Sequence, residues 1–247
     1  AGEALTDEEK SEERRVAARI ERLCALAHAR GVRIMVDAEE TWIQAAIDGY
    51  VFAMMQRFNR ERPIVYNTVQ MYRVDRYAYL ESVLGAAAQQ GFHVGIKLVR
   101  GAYMEKERER AKRLKIADPI QPDKAATDRA FDAALRLLVD HADRVGVVAG
   151  SHNEDSTRLL VDLLRAHGVP PGDPRFEFSQ LLGMSDNLTY NLANSGFRAS
   201  KYVPYGPVRA VLPYLFRRAE ENTSIQGQAG RELQLIEREI ARRARRG

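Results

Sequence analysis

One short stretch of the sequence carries side chains that could bind an anion. Its members, spaced i, i+3, i+4 and i+7 in LPYLFRRAEEN, are Tyr214, Arg217, Arg218 and Glu221. On an α-helix this spacing gathers them on one face. Two adjacent guanidinium groups form a fork for a carboxylate or phosphate, and the tyrosine adds an apolar wall with a polar tip. The stretch predicts a site for a small anion with an apolar body, such as an amino acid, although most adjacent arginines are solvated.

A second set of candidate residues stands where short apolar runs end. These residues are Asp37, Gln70, Lys97, Arg100, Ser151, His152, Asn153, Gln180 and Tyr202. The apolar runs read as buried parallel strands, whose carboxyl ends meet on one face of a sheet or barrel. We therefore expect these side chains to share one face, where the active site of such a fold lies.

Lys97 and Arg100 lie in KLVRGAY, in front of Gly101. An unpaired lysine inside an apolar strand is costly, so Lys97 is expected to have a function. Gly101 permits a close approach of backbone to ligand. Asp37, in VDAEE, ends a buried strand and needs a cation, which Arg217 or Arg218 could supply.

Three further polar residues have simpler interpretations. Glu39 and Glu40 open a helix, where acids complement the helix dipole. His152, in GSHNE, could be a base or a hydrogen-bonding residue, but a structural histidine is the simpler interpretation. No second His or Cys stands at ligand spacing, so we expect no metal site.

The elements that position these residues alternate between helix and strand. Helices are expected at about 6–30, 39–59, 75–91, from 104, at 124–141, 155–167, 185–195 and 207–222, with a basic helix at about 230–247. About six strands lie between them, in 32–38, 62–72, 93–103, 144–153, 176–184 and 201–206. This order predicts an α/β fold with parallel strands. No glycine-rich phosphate loop follows a strand, which favours a barrel over a doubly wound sheet.

Composition narrows the class of protein. The 247 residues are 45% hydrophobic and carry a net charge of +4, which fits one domain over 1–247 and no nucleic-acid partner. Cys24 is the only cysteine, and its apolar surroundings predict a buried structural thiol. No apolar run is long enough to span a membrane, and the start resembles no signal peptide. We expect an intracellular or organelle-matrix protein.

Seven motifs occur in a fixed order: VDAEE, NTVQMY, KLVRGAY, SHNE, FEFSQLLGM, KYVPYGP and YLFRRAEEN. Their order, over nearly the whole chain, resembles the catalytic domain of proline dehydrogenase, also called proline oxidase. Lys97 and KYVPYGP are similar to the eukaryotic-type branch, while the arginine-rich composition suits a high-GC bacterium.

The resemblance implies a distorted (βα)8 TIM-type barrel that binds FAD. The implied reaction is oxidation of L-proline to Δ1-pyrroline-5-carboxylate by hydride transfer to flavin N5, with a quinone as electron acceptor. The implied location is the bacterial cytoplasm, with peripheral contact to the inner membrane, or the matrix side of the mitochondrial inner membrane. The basic C-terminal helix could contact anionic lipid, although a solvated helix is the simpler interpretation.

The resemblance also implies roles for single residues. The implied substrate-binding residues are Arg217 and Arg218 on the carboxylate, Tyr202, Tyr214 and Leu181 on the ring, and Glu221, which with Asp37 holds the arginines. The implied cofactor-binding residues are Ala38, Gln70, Lys97, Arg100, Gly101, Ala102, Ser151 and His152. Asp37 and Lys97 are the expected catalytic residues, with Lys97 near flavin N5.

Two departures from the family pattern leave alternatives open. The family barrel has two strands before VDAEE, which we do not expect within these 247 residues, and Met104 stands where many bacterial members have Trp. Three alternatives remain. They are a truncated, non-catalytic barrel domain, a hydroxyproline-preferring relative, and a barrel enzyme in which Arg217 and Arg218 bind a phosphate ester.

Overall fold

A computed structural model describes residues 5–224 and 237–245, with side chains for residues 5–216 and 237–245. The strands are β1 Ile34–Val36, β2 Val65–Gln70, β3 Val94–Val99, β4 Val145–Gly150, β5 Phe176–Leu181 and β6 Ala199–Tyr202. The helices are α1 Asp7–Ala29, α2 Thr41–Phe58, α3 Arg76–Gln90, α4 Met104–Leu114, α5 Lys124–Asp140, α6 Glu154–Ala166, α7 Asp186–Asn194 and α8 Val208–Ser224. Residues 237–244 are also helical.

The six strands form one sheet in chain order, β1-β2-β3-β4-β5-β6. The pairings from β1 to β5 are all parallel. A doubly wound sheet reverses its strand order at a switch point, whereas this order never reverses. The sheet therefore winds in one direction with a helix after each strand, as in a βα barrel.

Strand alternation separates the core from the site. In β3, Ile96 and Leu98 are fully buried and belong to the hydrophobic core under the helices. Lys97 and Val99 are less buried and alternate with them, so they point to the opposite face. The apolar residues of each strand thus hold the sheet against the helices and leave the other face for polar chemistry.

Several helix ends follow local capping rules. Thr6 and Glu9 form a capping box at the start of α1, a pattern typical of helix N-termini. Asn153 caps α6, where its side chain accepts a hydrogen bond from Ser156 N at 3.0 Å. Pro207 directly precedes α8, where the fixed φ of proline suits the start of a helix, and Pro213 lies inside the helix.

The observed strands are shorter than the predicted ones at their carboxyl ends. β3 ends at Val99, so Arg100 and Gly101 lie in the following loop and not in a strand. β6 ends at Tyr202, two residues before Pro204, which cannot donate a ladder hydrogen bond. The predicted helix at about 230–247 lies partly outside the described residues.

The chain divides into two compact units, residues 1–201 and 202–247. Our expectation of one domain over 1–247 stays a prediction. Cys24 is fully buried in the first unit, as expected. Among the described residues, none of the helices is long and apolar enough to span a membrane.

Candidate active site at the carboxyl ends of the strands

The ammonium of Lys97 pairs with the carboxylate of Asp37. Lys97 lies in β3 and Asp37 follows β1, so the pair reaches across β2. Thr68, the register partner of Lys97 in β2, donates a long hydrogen bond from Oγ1 to Asp37 Oδ1 at 3.4 Å. The Lys97 side chain is 18% exposed and that of Asp37 is 55% exposed. The fold thus joins the two residues predicted to be catalytic and leaves the pair accessible to a ligand.

Gln70, the last residue of β2, joins the loops on either side of it. Its Nε2 donates to Glu39 O at 2.9 Å, and its Oε1 accepts a long hydrogen bond from Ala102 N at 3.4 Å. Gln70 is 3% exposed. Ala38, also predicted to contact the cofactor, lies beside Glu39 in the β1–α2 loop. One buried amide therefore fixes the distance between the two loops that carry half of the predicted cofactor contacts.

Gly101 is required by the backbone at its position. Its φ is +136°, and a Cβ there would lie 2.3 Å from the ring of Tyr72. Any side chain would therefore force Gly101 away from Tyr72 or into a strained conformation. The loop backbone at Gly101 lies against the tyrosine ring, and Gly101 and Ala102 are both exposed.

Arg100 is engaged by protein groups. It donates to Asp128 Oδ1 at 2.6 Å, Ser151 Oγ at 2.8 Å and Ser156 Oγ at 2.9 Å. Its guanidinium also stacks over the Phe131 ring, 4.3 Å from the centroid. Arg100 therefore fixes the position of Ser151.

Asp128 was not identified from the sequence as part of the site. Burial opposes its charge, but hydrogen bonds from Lys124 and Arg100 outweigh this effect and lower the pKa of Asp128. The ordinary i,i+4 spacing of Lys124 and Asp128 gave no signal of the longer contact to Arg100. Ser156 gave no signal of its contact with Arg100 either, because its pattern indicates only a place in the first turn of α6.

Ser151 and His152 follow β4 as predicted. Ser151 is 8% exposed, and its Oγ also accepts from Asn153 N at 3.1 Å. His152 Nδ1 lies 3.0 Å from Ser185 Oγ, which ties it to the loop after β5. Gln180 Nε2 donates to Ser151 O at 3.3 Å. In the described part of the chain no group of three or more His, Cys, Asp or Glu could hold a metal ion.

Glu39 and Glu40 do more than complement the dipole of α2. The Tyr103 hydroxyl donates to Glu39 Oε2 at 2.9 Å, and Lys106 pairs with Glu40. The hydrogen bond from Lys106 is the main cause of the lowered pKa of Glu40. Glu39 therefore binds the loop after β3 and Glu40 binds α4, roles that the sequence did not indicate.

The second unit holds most of the predicted substrate residues. Within it, the rings of Tyr202 and Tyr214 lie 5.5 Å apart between centroids, at an angle of 46°. Their role as a wall of the substrate site stays a prediction. The side chains of Arg217, Arg218 and Glu221 lie outside the described residues. Leu181, in the first unit, is half-buried at the end of β5.

Parallel strands that lie in chain order and carry polar side chains at their carboxyl ends are typical of α/β barrel domains. The chain belongs to the proline dehydrogenase family, whose profile matches residues 2–231. This assignment agrees with the motifs that led to the family from the sequence.

Three comparisons show the extent of the likeness. The chain is 41% identical over 246 residues to "Proline dehydrogenase 1, mitochondrial" of Homo sapiens, covering 98% of this chain and 41% of that one. It is 39% identical over 243 residues to "Hydroxyproline dehydrogenase" of Xenopus laevis, covering 97% and 52%. A solved structure of proline utilization A (PutA) from Bdellovibrio bacteriovorus, inactivated by N-propargylglycine, matches with a TM-score of 0.80 at 21% identity, covering 88% and 22%. The fold is thus that of a distorted TIM barrel, and the chain spans about two fifths of the length of the human relative.

Proposed function

We propose that this chain is the FAD-binding barrel domain of a proline dehydrogenase, over residues 1–247, which oxidises L-proline to Δ1-pyrroline-5-carboxylate. The observation that carries this proposal is the Lys97–Asp37 pair at the strand ends, in a chain of the proline dehydrogenase family. The human relative is named as mitochondrial, which supports the matrix side of the inner membrane over a bacterial location.

The residues at the strand ends fit a flavin dinucleotide. The exposed backbone at Gly101 and Ala102 gives a loop that a diphosphate can approach closely. Lys97 supplies a partly buried cation. The residues that would hold the cofactor are Ala38, Gln70, Lys97, Arg100, Gly101, Ala102, Ser151 and His152. Arg100 would act mainly by holding Ser151, because three of its nitrogens already donate to protein oxygens.

FAD, when bound, would supply the acceptor for the hydride that leaves C5 of proline, the ring CH2 next to the nitrogen and away from the carboxylate. Lys97 would stabilise the negative charge that develops near N5. Arg217 and Arg218 would clamp the substrate carboxylate, and Glu221 and Asp37 would hold the two arginines. Tyr202, Tyr214 and Leu181 would pack the ring, so that its reacting carbon is oriented. The N–H proton of the substrate would be lost to solvent, and a quinone would take the electrons.

The proposal is tested by reconstitution and spectroscopy. The protein is expected to bind FAD and give a flavin absorption band that L-proline bleaches in the absence of oxygen. D-proline serves as the matched control, because its carboxylate cannot meet the arginines with the ring in the same place. A protein that stays colourless after incubation with FAD, or a band that L-proline leaves unchanged, would refute the proposal.

A second candidate substrate is hydroxyproline, because a hydroxyproline dehydrogenase of Xenopus laevis is 39% identical over 97% of this chain. The resemblance gives such relatives a smaller residue at the position of Tyr202, which favours proline here. The rates at which L-proline and trans-4-hydroxy-L-proline bleach the flavin band, measured under the same conditions, would decide between the two substrates.

A further inference from the structure

Glu107, on α4, is a buried carboxylate without an assigned role. It is 1% exposed. Its Oε1 accepts a hydrogen bond from Thr41 N at 2.6 Å, and its Oε2 accepts one from Thr41 Oγ1 at 2.8 Å. Both oxygens accept from donors, which is the pattern of an ionised carboxylate. The bonds join residues 66 positions apart, at the start of α2 and in α4.

The surroundings of Glu107 explain how its charge is tolerated. Burial of a carboxylate is costly unless the charge is compensated, and no Lys or Arg pairs with Glu107 in the part of the chain that the structure describes. Thr41 is the first residue of α2, where free N–H groups and the helix dipole favour an anion. The N-cap of α2, Glu40, makes no side-chain capping bond of its own. Glu107 therefore supplies from another helix the cap that α2 lacks.

The Glu107–Thr41 contact holds two loops of the candidate site together. α2 follows the loop with Asp37 and Ala38, and α4 follows the loop with Arg100 and Gly101. The backbone of Glu107 is also fixed to the second loop, because its N–H donates to Tyr103 O at 2.9 Å. A shift of Glu107 would thus change the distance between the loops.

Glu107 also lies near the tyrosine on which the second loop rests. Burial raises the pKa of Tyr72 well above its usual range, and the nearby Glu107 charge raises it further. The Tyr72 ring is the surface that excludes a side chain at Gly101. Tyr72 therefore packs against the glycine loop on which the site depends, and the charge of Glu107 acts on the same tyrosine.

We propose that Glu107 is a positioning residue for the cofactor, which sets the distance between the β1–α2 and β3–α4 loops through Thr41. The proposal rests on the proposed function, because those loops carry half of the predicted FAD contacts. Glu107 would act without touching the flavin, so its loss should weaken binding of the cofactor more than it changes the chemistry.

The first measurement is the dissociation constant of FAD, by titration of flavin-free protein. Glu107→Gln keeps the shape and one acceptor but removes the charge, and we expect the constant to rise about tenfold. Thr41→Val removes only the hydroxyl donor, and a rise of about threefold is expected. The double variant should bind only slightly more weakly than Glu107→Gln, since both changes break the same contact.

Glu109→Gln is the matched control. It removes the same charge from the same helix, two residues further on, at an exposed position with no hydrogen bond to Thr41 in the described structure. Its dissociation constant is expected to stay within twofold of the wild-type value. Thermal melting confirms that each variant folds, and Thr41→Val carries the test if Glu107→Gln does not.

The second measurement needs no flavin. Trp42 is the only tryptophan of the chain and follows Thr41 directly. From α4, Arg110 and Lys106 lie 4.9 Å and 5.3 Å from its ring centroid. Trp42 emission and its quenching by acrylamide therefore report on the α2–α4 contact. Both should change in Glu107→Gln and stay nearly unchanged in Glu109→Gln, although Glu109 lines the same groove as Trp42.

The outcomes separate this inference from the proposed function. If the wild type binds FAD and Glu107→Gln binds it equally well, Glu107 does not position the cofactor, whatever Trp42 shows. If Glu107→Gln alters Trp42 emission but leaves the dissociation constant of FAD unchanged, the Glu107–Thr41 contact is purely structural and the proposal is refuted. If the wild type binds no FAD, the proposed function fails and this inference fails with it, while the Trp42 signal still reports whether the contact between the helices exists.

Discussion

Lys97 and Asp37, sixty residues apart in the sequence, form an ion pair at the carboxyl ends of β3 and β1. Thr68, on the strand between them, contacts the same Asp37 oxygen. Asp37 thus has a cationic partner in Lys97, a residue other than Arg217 and Arg218, which the sequence suggested for this role. The charge of Lys97 is held at a defined point of the sheet, which is what stabilisation of a developing charge requires.

Lys97→Met is expected to slow flavin reduction by L-proline about a hundredfold, because one preorganised electrostatic contact is lost. The rate is measured by stopped-flow absorbance with FAD at saturation, so that weaker cofactor binding does not contribute. Lys97→Arg, which keeps the charge, should recover most of the rate. Equal rates for Lys97→Met and the wild type would remove Lys97 from the reaction centre.

Arg217→Met or Arg218→Met is expected to raise the KM for L-proline about a hundredfold, because a charge-assisted contact to the substrate carboxylate is lost. Steady-state kinetics with a dye acceptor measure the change. Arg129→Met, at an exposed position of α5, is the control for loss of one arginine. A KM within twofold of the wild-type value would exclude the mutated arginine from the carboxylate site.

Tyr202→Ser is expected to shift preference from L-proline towards trans-4-hydroxy-L-proline, since a smaller side chain leaves room for the extra hydroxyl. The ratio of the two kcat/KM values should fall about tenfold, as for the loss of one well-packed contact. Tyr214→Phe keeps the ring contact with Tyr202 and serves as the control. An unchanged ratio in Tyr202→Ser would show that this tyrosine does not select the substrate.

The sequence predicted the strands and the residues at their ends because both depend on local patterns. Apolar runs bounded by polar residues indicated the six strands, and the alternation in β3 separated Lys97 from the core. The lengths of the strands were less predictable. Arg100 and Gly101 leave the sheet because Gly101 adopts a φ of +136° and lies on Tyr72, and this packing depends on a neighbouring strand.

The partners of the site residues could not be predicted, since they depend on register and on helix positions. Asp37 meets Lys97 only because β2 lies between their strands. Arg100 meets Asp128 only because α5 packs beside β3 and β4. In the sequence, Glu107 is one of several acids in a charged helix. Only its burial in the structure distinguishes it from the others. Contacts between residues 28 to 66 positions apart leave no periodic signal in one sequence.

Gly101→Ala is expected to lower the stability of the protein by about 2 kcal/mol, because its φ and the Tyr72 ring both exclude a Cβ. In thermal melting of the flavin-free protein this corresponds to a Tm lower by about 4–8 °C. Gly85→Ala is the control. Gly85 lies inside α3 with open space around its Cα, so alanine there should raise stability by about 0.5–1 kcal/mol. Equal Tm values for the two variants would contradict the packing described for Gly101.

The contact between Asp128 and Arg100 predicts a pH dependence of stability. The pKa of Asp128 is lowered in the folded protein, so its contribution is present above the unfolded-state value of about 3.9 and is lost as pH falls through the lower folded value. Asp128→Asn should therefore cost about 1 kcal/mol at pH 7, a low value for a partly exposed pair. The difference from the wild type should shrink as pH falls below about 3.9 and disappear once pH lies below the folded pKa. Urea unfolding of both proteins at several pH values measures it, and a difference that stays constant between pH 7 and pH 3 would show that the charge of Asp128 does not stabilise the Arg100 network.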